Sequence, residues 1–112
     1  MNPSAWVTRW AQGRDALDVA CGSGRHVRWL ARQGMQVTGI DHDAAATEPL
    51  KDVAEIVKSD IEAEPWPLGT RQFDLVLVTN YLWRPLFPAL IAAVAPGGRL
   101  LYETFAIGQQ TV

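Results

Sequence analysis

Three aspartates, Asp18, Asp41 and Asp60, and the glycine turn Gly22-Ser23-Gly24 are the residues of this 112-residue chain whose types and spacing could do chemistry. Glycines at such a turn take positive φ and put no side chain between backbone and ligand, so a cofactor can lie against the turn, near the N–H groups that open the next helix. Asp41 comes 23 residues after Asp18 and closes the neighbouring strand, the position from which a carboxylate meets both hydroxyls of a ribose. Two such charge-assisted bonds contribute about 1.5–3 kcal/mol each. The same Asp41-His42-Asp43 sequence is also suited to an Asx turn. Asp60 ends a third strand and could accept from an adenine amino group or cap a turn. Acid, acid and glycine turn on three strands together predict an adenosine-containing ligand.

Which adenosine cofactor is decided by what the turn lacks. A dinucleotide fingerprint, G-x-G-x-x-G, requires a third glycine where this chain has Val27. There is no Tyr-x-x-x-Lys pair for hydride transfer either, which argues against a nicotinamide oxidoreductase. A sulfonium cofactor carries no phosphate and needs a turn that cradles an amino-acid tail, with carboxylates or ring faces near a positive charge. This sequence supplies both. His26, Tyr81 and Trp83 are candidates for contact with an acceptor, His26 being read as half-exposed on the first turn of a helix. Cys21 reads as a small buried residue rather than a reactive thiol. No general base is assigned, and no metal site is expected.

The elements that must position these residues alternate. The apolar run Ala16, Leu17, Val19, Ala20, interrupted by Asp18, reads as a buried parallel strand feeding the glycine turn. A helix follows, with Val27, Leu30 and Ala31 inward, Arg25, Arg28 and Arg32 outward, and Gly34 as its stop. Residues 36–40 and 54–58 read as the second and third strands, with a helix from 44 to about 53 that Pro49 shortens or breaks. Residues 61–72, holding Pro65, Pro67 and Gly69, read as a loop in which Trp66 packs. Residues 73–79, FDLVLVT, are the central strand. A helix over 86–94 places Leu86, Leu90, Ile91 and Val94 on one stripe, and Pro96-Gly97-Gly98 turns the chain into a fifth strand over 99–105. Asn2-Pro3 starts an N-terminal helix with Trp6, Val7, Trp10 and Ala11 at helical spacing, ended by Gly13. Such alternation predicts an α/β, doubly wound parallel sheet with the ligand outside the carboxyl ends of its strands. The turn, Asp41, Asp60 and Asn80 all lie at those ends.

Composition narrows the setting. A chain that is 48% hydrophobic and 20% charged, with a net charge of -2, folds as one domain and has no basic footprint for nucleic acid or an anionic membrane. No run reaches the roughly 18 apolar residues of a membrane span, and the N-terminus lacks the apolar core of a signal peptide, which points to the cytoplasm. A single cysteine excludes an internal disulfide, and two scattered histidines argue against zinc.

LDVACGSG resembles motif I of the class I S-adenosylmethionine-dependent methyltransferases, an acid, three residues, then G-x-G. TGID, SDI, FDLVLVTN and APGGRLLYET follow in that family's order, so the likeness runs over about residues 17–104. It is most similar to small bacterial members without an inserted target-recognition domain, and Ala20 stands where many members have glycine. The resemblance implies a Rossmann-like, mostly parallel sheet with strand order 3-2-1-4-5 and S-adenosylmethionine as cofactor. It would place Ala20, Gly22 and Gly24 at the methionine end, with Asp18 beneath, orienting the loop and reaching the amino group through water. Asp41, with His42 beside it, would lie at the ribose, Asp60 and the backbone of Ile61 at the adenine, and Asn80 beside the methyl group. Tyr81-Leu82 follows Asn80 instead of Pro-Pro-Tyr, so the signature of adenine and glutamine methyltransferases is absent and the acceptor atom is open.

Family members continue after the fifth strand with a helix and an antiparallel strand pair, whereas this chain ends at GQQTV. The expectation is therefore a single core domain, 1–112, with the final antiparallel pair missing, either truncated after the fifth strand or completed there by a partner. Its expected activity is methyl transfer to a small molecule or an unidentified acceptor; the alternative is a non-catalytic S-adenosylmethionine-binding or interaction module. The fifth strand, with Leu100, Leu101, Tyr102 and Phe105, becomes an apolar edge. Such an edge invites self-association, most simply a symmetric dimer.

Overall fold

Strands β1 (Asp15–Val19), β2 (Gln36–Asp41), β3 (Glu55–Lys58), β4 (Phe73–Thr79) and β5 (Val94–Glu103) form one parallel sheet in the order β3-β2-β1-β4-β5. This is the doubly wound architecture that the sequence predicts, with the strand order that the family resemblance implies. It comes from a computed structural model that describes residues 13–22, 24–79, 81 and 83–103. The expected N-terminal helix with Trp6 and Trp10, Asn80, and Phe105 at the end of the fifth strand lie outside those residues.

The central strands β1 and β4 are buried on both faces, which is why they read as nearly continuous apolar runs. One face carries Leu17, Val19, Val76 and Val78, packed by Ile61, Leu68, Leu86 and Leu90, with Trp66 against them as expected. The other carries Ala16, Leu75 and Leu77, covered by Val27 and Leu30 of helix α1 (Arg25–Arg32) and by Leu50. Because successive strand residues point to opposite faces, Leu75, Val76, Leu77 and Val78 of β4 alternate between the two clusters.

Three elements differ from expectation, each for a local reason. The helix expected to reach about residue 53 is the single turn α2 (Ala44–Thr47) followed by a 3-10 turn over Glu48–Leu50, since Pro49 has no N–H to continue an α-helix. Between β4 and β5 stands a 3-10 turn, Arg84–Leu86, then helix α3 (Phe87–Ala92), each with proline near its start. The tighter 3-10 turn shifts the phase of the stripe. Leu86 and Leu90 are buried, but Ile91 is 65% exposed. Val94 already belongs to β5, opposite Phe73, and a register shift carries the chain from there to the Arg99–Leu75 pair. The fifth strand therefore begins five residues earlier than residue 99 and passes through Pro96-Gly97-Gly98.

Candidate functional site

The loop after β1 is built on left-handed backbone. Ala20, at φ 59°, Gly22, at 55°, and Gly24, at 83°, turn the chain between β1 and α1. For alanine that conformation costs roughly 1–2 kcal/mol, a local strain of the kind found at ligand clamps. The two glycines differ in what surrounds them. A Cβ on Gly22 would meet nothing within 4 Å, whereas one on Gly24 would overlap the side chain of Leu50. Gly24 caps α1 without a side-chain bond, and its N–H donates to Cys21 O at 3.0 Å.

Asp41 ties this loop to the end of β2. Its Oδ2 accepts from Gly22 N–H at 2.8 Å and its Oδ1 from Asp43 N–H at 2.9 Å, and the residue is only 8% exposed. The second bond is the Asx turn anticipated for Asp41-His42-Asp43, so the carboxylate makes that turn and holds the loop at once. Asp43 in turn caps α2 through Ala46 N–H. His42 projects outward, its side chain 78% exposed and Nδ1 3.6 Å from Asp41 Oδ1.

A cleft of about 260 Å³ opens at the strand ends, and its walls include Ala20, Asp41, His42, Asp60 and Ile61. Five predicted site residues from three strand ends thus share one cavity. Asp18, Gly22 and Gly24 are not among its walls; Gly22 adjoins it through the bond to Asp41. Ser59, Glu62 and Tyr81 also line it. Of these, Glu62 was not singled out by the sequence, although an acid two residues beyond Asp60 at a strand end is a usable signal. Asp60 caps the turn that carries Ile61, its Oδ1 accepting from Glu62 N–H at 3.1 Å and its own N–H donating to Glu64 Oε1 at 2.8 Å.

Behind the loop, Asp18 is 1% exposed and its Oδ1 has no hydrogen-bond partner among the described residues. Burial pushes its carboxyl up to about 8, with Arg25 pulling it down and Asp41 adding to the rise. His26 corrects the expectation of a half-exposed residue. It is 3% exposed, with Nδ1 3.4 Å from Thr79 Oγ1, because the first turn of α1 lies on the sheet rather than beside the cleft. Burial, then Arg25, lowers its pKa to about 4. Cys21 is pushed up to about 12, chiefly by burial and then by Asp18 and Asp41, so it is a thiol and no nucleophile at neutral pH.

Asp18 and His26 set opposite pH slopes on stability. Unfolded Asp18 releases its proton near pH 4 and folded Asp18 near 8, so between those values the folded state holds more protons and stability falls as pH rises. Unfolded His26 takes up a proton below about 6.5 and folded His26 only near 4, so stability falls as pH drops through that interval. The two oppose each other from about 4 to 6.5, and above that only the Asp18 slope remains. At about 1.4 kcal/mol per pH unit, the ligand-free protein is expected to lose about 2 kcal/mol between pH 6.5 and 8, and Asp18→Asn to flatten that decline. Urea unfolding of both proteins across the interval checks this; parallel curves would show that Asp18 does not titrate there.

Residues 16–98 match the methyltransferase domain family. The chain belongs to the class I S-adenosylmethionine-dependent methyltransferases. Among curated members, a tRNA U34 carboxymethyltransferase from Nautilia profundicola is 29% identical to it over 107 residues, covering 86% of this chain and 36% of that protein. A trans-aconitate 2-methyltransferase from Paracidovorax citrulli is 34% identical over 96 residues, covering 78% and 37%. The chain therefore spans about a third of the length of the curated relatives it matches. A TehB-like SAM-dependent methyltransferase from Corynebacterium glutamicum superposes with a TM-score of 0.68 at 26% identity, covering 85% of this chain and 56% of that one.

The site fits the cofactor of this family. Gly22 leaves open space on its Cβ side, Asp18 Oδ1 is a buried acceptor without a partner among the described residues, and acids from two further strand ends line a cavity beside them. Among the described residues no group of three or more His, Cys, Asp or Glu is placed to hold a metal ion, and no helix is long and apolar enough to cross a membrane.

Proposed function

We propose that this chain binds S-adenosylmethionine in the cleft at the ends of β1, β2 and β3, and serves methyl transfer to a small-molecule acceptor. The observation that carries this reading is the bond from Gly22 N–H to Asp41 Oδ2, which sets an open-faced glycine turn against an acid lining a nucleoside-sized cavity. When bound, S-adenosylmethionine supplies a methyl group on a sulfonium that departs as a neutral thioether, so the protein's own work is to align, desolvate and exclude water. Asp41 receives the ribose hydroxyls on the lone pairs left by its two backbone bonds. Asp60 and the backbone of Ile61 face the adenine, with His42 at the rim. Asp18 Oδ1 accepts from the amino group directly or through water, behind Ala20, Gly22 and Gly24. Asn80 lies next in sequence to Thr79 at the end of β4 and is assigned beside the methyl group on the motif alone. In this reading residues 1–112 are one cofactor-binding core.

Titration calorimetry with S-adenosylhomocysteine tests the cofactor; no heat at millimolar ligand removes it. The named relatives differ in acceptor, one a tRNA position and one a small organic acid. A small-molecule acceptor is favoured here by the net charge of -2 and by basic residues that are scattered along the sequence apart from Arg25, Arg28 and Arg32 on one helix, and the same composition with one cysteine favours a cytoplasmic setting. Methyl-transfer assays with small molecules, proteins and tRNA in parallel separate these acceptors, and binding without transfer to any of them supports a non-catalytic module.

We further propose a symmetric homodimer through the β5 flank. Phe87, Ile91 and Leu100, 37%, 65% and 36% exposed, surround a groove with Tyr102, and β5 pairs with β4 alone among the described strands. Sedimentation at micromolar concentration should give a dimer that Ile91→Asp converts to monomer; a monomeric parent protein refutes it.

A further inference from the structure

The turn that carries Asp60 and Ile61 is fastened from across the cleft. Tyr81, just beyond β4, donates its hydroxyl to Glu62 Oε2 at 2.6 Å, and both residues line the cavity. Tyr81 is itself held from behind, because Tyr102 on β5 donates its hydroxyl to Tyr81 O at 2.6 Å, and the Tyr102 ring meets Phe87 edge-on at 5.2 Å. One residue therefore bridges the end of β3 to the end of β4, anchored at its backbone carbonyl by Tyr102 of β5 and at its hydroxyl by an acid.

We propose that the Tyr81–Glu62 hydrogen bond is a strap across the cleft, with Tyr81 as a positioning residue that holds the Asp60–Ile61 wall and must release Glu62 for a bound nucleoside to leave. The inference rests on the cofactor reading above only for the identity of that nucleoside. Glu62 is exposed, and its turn is otherwise held by the local bonds of Asp60 and Glu64 and by the packing of Ile61 into the core; the strap adds a hydrogen bond from that turn to the far wall. Burial, then the bond to Glu62, lifts the Tyr81 phenol well above its ordinary range, so it stays a donor at every pH at which the protein is handled. The hydrogen bond opens by movement of Glu62, which is exposed, while Tyr81 keeps its packing against the core.

The test has a ligand-free arm and a kinetic arm. In the protein without ligand, Tyr81→Phe should speed amide exchange at residues 61–64 while leaving β1 and β4 protected. With S-adenosylhomocysteine, Tyr81→Phe and Glu62→Ala should each speed dissociation by about tenfold, the scale of one hydrogen bond. The double variant should be no faster than either single one. Glu62→Gln, whose carboxamide oxygen still accepts the phenol proton, should restore slow release; a merely structural effect would not be rescued in this way. Unchanged exchange at residues 61–64, or wild-type release from Tyr81→Phe, overturns the strap. Failure of S-adenosylhomocysteine to bind the parent protein overturns the cofactor reading instead, and the exchange arm still decides whether the strap exists.

Discussion

Asp41→Ala is expected to weaken S-adenosylhomocysteine binding by about 3–6 kcal/mol, two charge-assisted hydrogen bonds' worth, and to loosen the loop that it binds. The carboxylate has two oxygens with two lone pairs each. One pair on each oxygen is taken by the N–H groups of Gly22 and Asp43, which leaves one on each for a ribose hydroxyl. The variant thus removes a ligand acceptor and, in the same step, orphans the Gly22 N–H at the root of the glycine turn. Asp41→Asn separates these roles. It keeps the side-chain shape and one carbonyl oxygen but turns an NH2 toward one of the two backbone donors, so it should lose one loop bond and one hydroxyl contact and fall between wild type and alanine. Calorimetry on both variants, with thermal melting as the check on folding, reads the effect. Wild-type affinity in a folded Asp41→Ala protein would move the ribose elsewhere.

What was legible in the sequence is what depends on local pattern. The runs at β1 and β4 announce strands because a parallel sheet covered on both faces leaves no polar alternation to confuse them. The acids Asp41 and Asp60 announce strand ends because they close the second and third runs, at β2 and β3. What depends on distant packing was not legible. Ile91 reads as core at α-helical spacing and is exposed, because a 3-10 turn ahead of α3 rotates the stripe. His26 reads as a surface residue and is buried, because the first turn of α1 packs beside Thr79. Glu62 and Tyr81 meet only once β3 and β4 are placed in one sheet with β2 and β1 between them, a relation that no spacing along the chain encodes. Within the motif itself the sequence treats Gly22 and Gly24 alike, and the fold does not.

That difference makes the second large expectation. Gly24 has its open side against Leu50, so Gly24→Ala would add overpacking, about 1–3 kcal/mol, to the roughly 1–2 kcal/mol of a left-handed alanine. A loss of about 2–5 kcal/mol is a large share of a domain's usual 5–15, and it should appear as a lower urea midpoint with ligand absent. Gly22 has empty space where a Cβ would stand. Gly22→Val should therefore lower stability only through its strained β-branched backbone, yet abolish measurable S-adenosylhomocysteine binding, because the side chain fills the space assigned to the cofactor. The pairing with Leu50 can be tested on its own. Leu50→Ala alone should destabilise by about 2–5 kcal/mol through the cavity it leaves, but in the Gly24→Ala background it should cost much less, since the two changes in volume offset each other across one contact. Additive losses would mean that Gly24 is required for its backbone angle alone, and normal ligand binding by Gly22→Val would show that the cofactor does not lie against this turn.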